Sequence, residues 1–210
     1  MKLKTILLIT LAAASLAVLN CSKKPAVGNK STPTEIKKGV APVADPEIAV
    51  IEMENPVYGT IKIELYSNIA PKMVARFKEL ANEGFYNGIA FHRINESVVQ
   101  GGDPNSKDDD PKNDGSGGSK KPNVPAEFSD IKYESGIVGA ARLGKDVNSA
   151  NCQFFITLGR VAGFDNDYTV FGKVIEGMNN VFTISGVEPK EGDRPIEPVK
   201  IKSVTIQPRN

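Results

Sequence analysis

Four short blocks hold the residues able to do chemistry: Phe91-His92-Arg93-Ile94, Gln100-Gly101-Gly102-Asp103, Gln153-Phe154-Phe155-Ile156 and Phe171-Gly172-Lys173-Val174. They supply one arginine, two glutamines and several phenylalanines, with no nucleophile and base, metal cluster or phosphate loop beside them. Gly115-Ser116-Gly117-Gly118 lacks the following lysine and helix of a phosphate cradle. An arginine stays charged at any relevant pH and offers five donors in a rigid fork. Set beside an apolar pocket, it suits a reaction that makes or breaks no covalent bond.

Short strands must position these residues. Thr60 to Tyr66 alternates apolar and polar side chains, the period-2 mark of a half-buried strand. Pro71 suits a helix start, and Met73, Val74, Phe77, Leu80 and Ala81 then recur at helical spacing to about Asn82, with Gly84 as the stop. Apolar runs follow at Ile89 to Ile94, Val98 to Gln100, Gly136 to Ala141, Gln153 to Thr157 and Thr169 to Val174. Val199 to Ile206 alternates again and closes the series. Gly and Asp punctuate the runs, as in an all-β barrel or sandwich, and the pattern alone leaves these two open. Phe154 and Phe155 should face opposite sides of their strand, with Phe154 in the core. Cys152 reads as a small core residue. Between Asn105 and Lys121, three adjacent aspartates lack the alternate spacing of a calcium loop, so a solvated, mobile loop is expected.

The chain starts Met1-Lys2-Leu3-Lys4 and is apolar from Ile6 to Leu19 apart from Thr10 and Ser15. These 14 residues fall short of the roughly 20 that cross a bilayer. They predict a secretory signal over residues 1–20. Val18-Leu19-Asn20-Cys21-Ser22 resembles a bacterial lipoprotein processing site, which would leave Cys21 as an acylated N-terminus. An ordinary signal peptide with an incidental cysteine is the alternative. Residues 21–47 carry four prolines and five lysines and read as a lipidated terminus followed by a flexible tether. Residues 48–207 suffice for one domain with one core. Without Lys2 and Lys4 the chain has 24 basic and 25 acidic residues, so nothing calls for nucleic acid. With Cys21 lipidated, Cys152 has no partner for a disulfide.

Taken in order, the four blocks resemble the cyclophilin family of peptidyl-prolyl cis/trans isomerases, and the resemblance runs from about Ile48 to Gln207. It implies a mainly β fold: a closed eight-stranded antiparallel barrel capped by two helices. It also implies a cofactor-free isomerase in which Arg93 is catalytic, Gln100 and Gln153 orient it and contact the substrate backbone, and Phe155 floors a proline pocket. Val98, Phe164 and Tyr168 fall at pocket positions, Arg142 where backbone groups pair with an extended substrate, and His92 at a supporting, substrate-binding position. The segment between Gly139 and Gln153 resembles the bacterial branch.

The chain departs from the family pattern twice. One residue is missing between Arg93 and Gln100, where Asn95-Glu96-Ser97-Val98 replaces the usual Pro-Gly-Phe-Met. Gly163 stands where many cyclophilins carry the tryptophan that helps bind cyclosporin. With the leader, the resemblance predicts a monomeric, lipid-anchored isomerase of the bacterial cell envelope, facing the periplasm or cell surface and acting on proline-containing segments of exported proteins. A binding module on the same fold with a degraded pocket is the rival.

Overall fold

The computed structural model describes residues 35–108, 110–188 and 190–209. The leader, Cys21 and residues 22–34 lie outside the described residues. Strands β1 (Glu47–Met53), β2 (Thr60–Leu65), β3 (Arg93–Ile94), β4 (Val98–Gly101), β5 (Ile137–Ala140), β6 (Phe154–Thr157), β7 (Val170–Glu176), β8 (Lys190–Glu191), β9 (Arg194–Pro195) and β10 (Ile201–Pro208) alternate with helices α1 (Pro71–Asn82) and α2 (Met178–Ser185). Eight strands form one antiparallel sheet in the order β10-β1-β2-β7-β5-β6-β4-β3, and β8 and β9 make a separate hairpin.

Each helix and strand follows from its residues. α1 starts at Pro71 and buries Met73, Val74, Phe77, Leu80 and Ala81. Ala70 cannot cap it, so the carboxylate of Glu127 accepts from the Lys72 and Met73 amides at 3.0–3.2 Å, where the helix dipole favours negative charge. Gly84, at φ 67, turns the chain out of the helix. Strand alternation sorts neighbouring residues into two apolar clusters. Val99, Phe154 and Phe171 join the main core beneath α1, while Val98, Phe155 and Val170 join a second cluster with Tyr133. In the main core the Phe77 ring lies 5.2–5.5 Å from those of Tyr86, Phe154 and Phe171. Cys152 is buried there as a free thiol, its pKa pushed up to about 11 by that burial.

The sheet differs from the expected closed barrel: it is strongly curled but open. Register shifts in β1, β2 and β5 bend it, yet the end strands β3 and β10 do not pair. β3 is two residues long because Asn95 turns the chain, its Oδ1 accepting from the Ser97 and Val98 amides. The Ile94 amide beside that turn donates to the Asp193 carbonyl at 2.6 Å instead. The gap is spanned by the isolated Ala90–Lys200 bridge and bonds from Gly88 and Phe91 to Ile201 and Val199. Residues 35–46, expected in the tether, run along the domain. Lys37 pairs through its backbone with Phe128 and Asp130, Gly39 donates to the Asp130 carboxylate, and Val43 donates to Asn68.

Candidate active site

Strand register builds the site. Arg93 on β3 stands opposite Gln100 on β4, Gln100 opposite Phe155 on β6, and Phe155 opposite Gly139 on β5. Directly opposed residues share a face of the sheet, so an arginine, a glutamine and a phenylalanine form one transverse row. The row ends in a glycine for a steric reason. A Cβ at Gly139 would meet the Phe155 ring and stand 2.7 Å from the Tyr133 hydroxyl.

The polar half of the row has a single direction. Arginine has no acceptor, so Gln100 presents its Oε1 to Arg93 Nη1 at 3.3 Å. Gln100 Nε2 then donates to Gln153 Oε1 at 3.1 Å, and Gln153 Nε2 donates to the Gly117 and Gly115 carbonyls at 2.9 and 3.1 Å. Arg93 Nε donates to Asp193 Oδ2 at 3.1 Å. Its side chain remains 46% exposed, with Nη2 directed to no partner among the described residues. Asp193 and the carbonyls of Gly115 and Gly117 were not expected from the sequence. They lie in polar turns whose only local signal is a glycine.

The glycine segment is hydrogen-bonded to the rest of the domain. Asp103 is buried, receives the Asn105 and Gly115 amides, and leaves no room for a Cβ at Gly117. Asn105 bonds Asn113 and Ser116, and Asn151 accepts from Ser119. Asp108 and Asp110 accept amides within their own turns, and the Asp110 amide holds the Asp108 carboxyl below its usual range.

The aromatic half borders a cavity of about 90 Å³, with Arg93, Gln100, Val98 and Phe155 on one part of its lining and Ala141, Arg142, Phe164 and Tyr168 on the rest. Phe155 sits edge-on to Phe164 and Tyr168 at 5.3 and 5.6 Å. Ser97 stays in the turn before β4, and Val98 forms this part of the wall. Gly163 adds nothing to the rim; a Cβ built there meets no atom within 4 Å. A groove of about 350 Å³ adjoins the cavity, with Gln100, Ala141 and Arg142 common to both.

Two expected site residues differ from the rest: the side chain of Arg142 is committed within the protein, which leaves its expected backbone role open, and His92 lies outside the cavity. Arg142 lines the cavity, but its side chain is only 6% exposed and each of its nitrogens already has a partner. It stacks 4.6 Å over Tyr168, pairs with Asp167 at 2.8 Å, and bonds the carbonyls of Asp167, Leu143 and Gly144. His92 lines neither cavity nor groove, because it precedes Arg93 and points to the other face of the strand. It is 6% exposed, and its ring nitrogens have no hydrogen-bond partner among the described residues. Burial lowers its pKa against the opposing pull of Asp103 and Asp114.

The family model for cyclophilin type peptidyl-prolyl cis-trans isomerases matches residues 48–206. A Brucella suis protein named "Probable peptidyl-prolyl cis-trans isomerase" is 41% identical over 172 residues, 80% of this chain and 86% of that one. Mouse peptidyl-prolyl cis-trans isomerase-like 1 is 38% identical over 148 residues, 68% of this chain and 84% of that one. A crystal structure of a Cryptosporidium parvum cyclophilin type isomerase, determined in the presence of the dipeptide Ala-Pro, aligns with a TM-score of 0.69 at 28% identity, covering 77% of this chain and 99% of that one. The chain belongs to the cyclophilin family. It is a peptidyl-prolyl cis-trans isomerase.

Proposed function

We propose that Arg93 carries the catalysis, that the cavity over Phe155 takes the proline ring, and that the protein works as a lipid-anchored folding catalyst for exported proteins. One observation carries the assignment of roles: a permanently charged, partly unbonded guanidinium lies in register with the aromatic floor of a small cavity.

The chemistry follows from amide resonance. Rotation about an Xaa-Pro bond faces a barrier of about 18–20 kcal/mol because the nitrogen shares its lone pair with the carbonyl. In the twisted state that lone pair returns to a pyramidal nitrogen, which accepts a hydrogen bond the planar amide cannot. A fixed guanidinium N–H aimed there stabilises the twisted state over the planar one, more strongly where water is excluded. Phe155, Phe164, Tyr168 and Val98 exclude it. Gln100 holds one edge of the guanidinium, and with Gln153 and the backbone at Ala141–Arg142 it borders the path of an extended chain. The adjoining groove receives residues flanking the proline. No proton changes place.

Exchange spectroscopy on an Ala-Pro peptide tests these roles: catalysed cis/trans cross-peaks should appear together with ring-current shifts from Phe155. Catalysis with no shift at the Phe155 and Arg93 signals would move the site elsewhere.

The anchor rests on residues 1–22 of the sequence alone. Cys21→Ser should shift the protein from the detergent to the aqueous phase on Triton X-114 partitioning. An unchanged distribution would contradict acylation at Cys21.

A further inference from the structure

We propose that Asp193 is the positioning residue for the catalytic guanidinium, held in place by the β8–β9 hairpin; the inference rests on the assignment of Arg93 above. Glu191 pairs with Arg194 across a two-residue turn of Gly192 and Asp193, and Gly192 has the left-handed φ of 60 that such a turn requires. The turn projects Asp193 against β3 at two levels. Its carbonyl accepts the Ile94 amide at 2.6 Å, which fixes the hairpin relative to the backbone of β3. Its Oδ2 accepts from Arg93 Nε at 3.1 Å and from Asn95 Nδ2 at 2.9 Å, so the carboxylate is gripped from both ends of the short strand.

This completes a circuit. Arg194, the next residue, pairs through Nε with Asp114 Oδ2 at 2.5 Å. Asp114 precedes Gly115, whose carbonyl accepts from Gln153, and Gln153 leads through Gln100 back to Arg93. The guanidinium is therefore held along two edges, Nε by Asp193 and Nη1 by Gln100, and Nη2 has no partner among the described residues. A planar fork held along two edges has a fixed plane; held along one, it swings. An arginine this exposed has many rotamers to choose from, and Asp193 supplies the second edge.

As a contribution to stability the pair is minor, because both side chains are about half exposed. Its effect should appear in rate. Asp193→Ala keeps the backbone bond to Ile94 and should lower kcat about three- to tenfold with little change in KM. Asp193→Asn retains an acceptor oxygen and should recover to within about twofold of wild type. The Arg93 Nε–Hε resonance should lose its downfield shift and slow exchange in Asp193→Ala and keep both in Asp193→Asn. In an Arg93→Ala background, Asp193→Ala should change the remaining rate by less than about twofold, as expected when two groups act through one another.

Unchanged kcat and an unchanged Hε signal in Asp193→Ala would overturn the proposal. An equal loss in the Arg93→Ala background would also overturn it, since Asp193 would then act on the fold. If Arg93→Ala itself kept the wild-type rate, the assignment of Arg93 would fall first, and the two failures are distinguished by that single variant.

Discussion

Two arginines line one small cavity and are held in opposite ways. Arg142 is buried, stacked on Tyr168 and bonded to Asp167 and three backbone carbonyls, so all three of its nitrogens are already engaged. Arg93 is half exposed and held only along two edges, by Asp193 and Gln100. On the roles proposed above, the same side chain is a wall in one place and a reagent in the other, and the number of donors already committed separates the two. A residue's type at a site position therefore says less than the count of its bonds. Substitutions should separate the pair, Arg93 through rate and Arg142 through stability.

The largest effect is expected at Arg93. Arg93→Ala should lower kcat/KM by roughly 10²–10³, the usual consequence of removing one preorganised donor, with an unchanged urea midpoint. A protease-coupled isomerisation assay beside urea denaturation measures both. Arg142→Ala should show the reverse. It removes a stacked cation and leaves buried carbonyls unpaired, which costs about 1–3 kcal/mol of stability, while the rate on a short peptide falls by less than about threefold. A variant of either arginine that lost rate and stability together would blur the distinction.

A smaller effect is expected at the rim. Gly163 leaves open space where the family's tryptophan would supply an indole donor. Cyclosporin should therefore inhibit the wild type weakly, and Gly163→Trp should strengthen inhibition about tenfold, roughly one added hydrogen bond in a partly dry site. Potent inhibition of the wild type would show that the rim does not control this ligand.

The smallest effect concerns pH, and it divides His92 from Arg93 as the first pair divides the arginines. Burial holds the folded pKa of His92 below its ordinary value of 6.5. The unfolded chain thus takes up the proton first as pH falls, and stability decreases below about pH 6.5. His92→Gln should remove that part of the loss, read as a smaller drop in Tm between about pH 7 and 5. The reaction moves no proton, so kcat/KM should vary less than about threefold between roughly pH 6 and 9 in both proteins. A steep limb that vanished in His92→Gln would make the histidine part of the chemistry.

Local signals were legible and long-range ones were not. Pro71, the helical spacing of Met73 to Ala81 and Gly84 bracket α1, because caps and periodicity act within a few residues. Alternation likewise separates Phe154 from Phe155, because neighbouring residues of a strand face opposite sides. The row of Arg93, Gln100 and Phe155 was accessible through resemblance to a family, since their pairing depends on register between strands far apart in sequence. Asp193 lies 100 residues beyond Arg93 in a polar hairpin, with only a turn-forming glycine to mark it. The open sheet was hidden for a related reason: closure depended on pairing between the chain before β3 and the start of β10, segments far apart in sequence that meet at one isolated bridge and a few backbone bonds. The binding of residues 35–46 to the domain was missed because the prolines and lysines there report low apolar content, not the backbone bonds that hold an extended segment in place.

The central claim is that a rigid, partly unbonded guanidinium at position 93 carries the catalysis, and a matched pair of conservative substitutions tests it most directly. Arg93→Lys keeps the charge but loses the fork, and Arg142→Lys keeps the charge of the wall. On an Ala-Pro peptide in one assay, kcat/KM should fall by about 10² for Arg93→Lys and by less than about threefold for Arg142→Lys. A folded Arg93→Lys enzyme with near-normal turnover, or a larger loss at Arg142, would contradict the account.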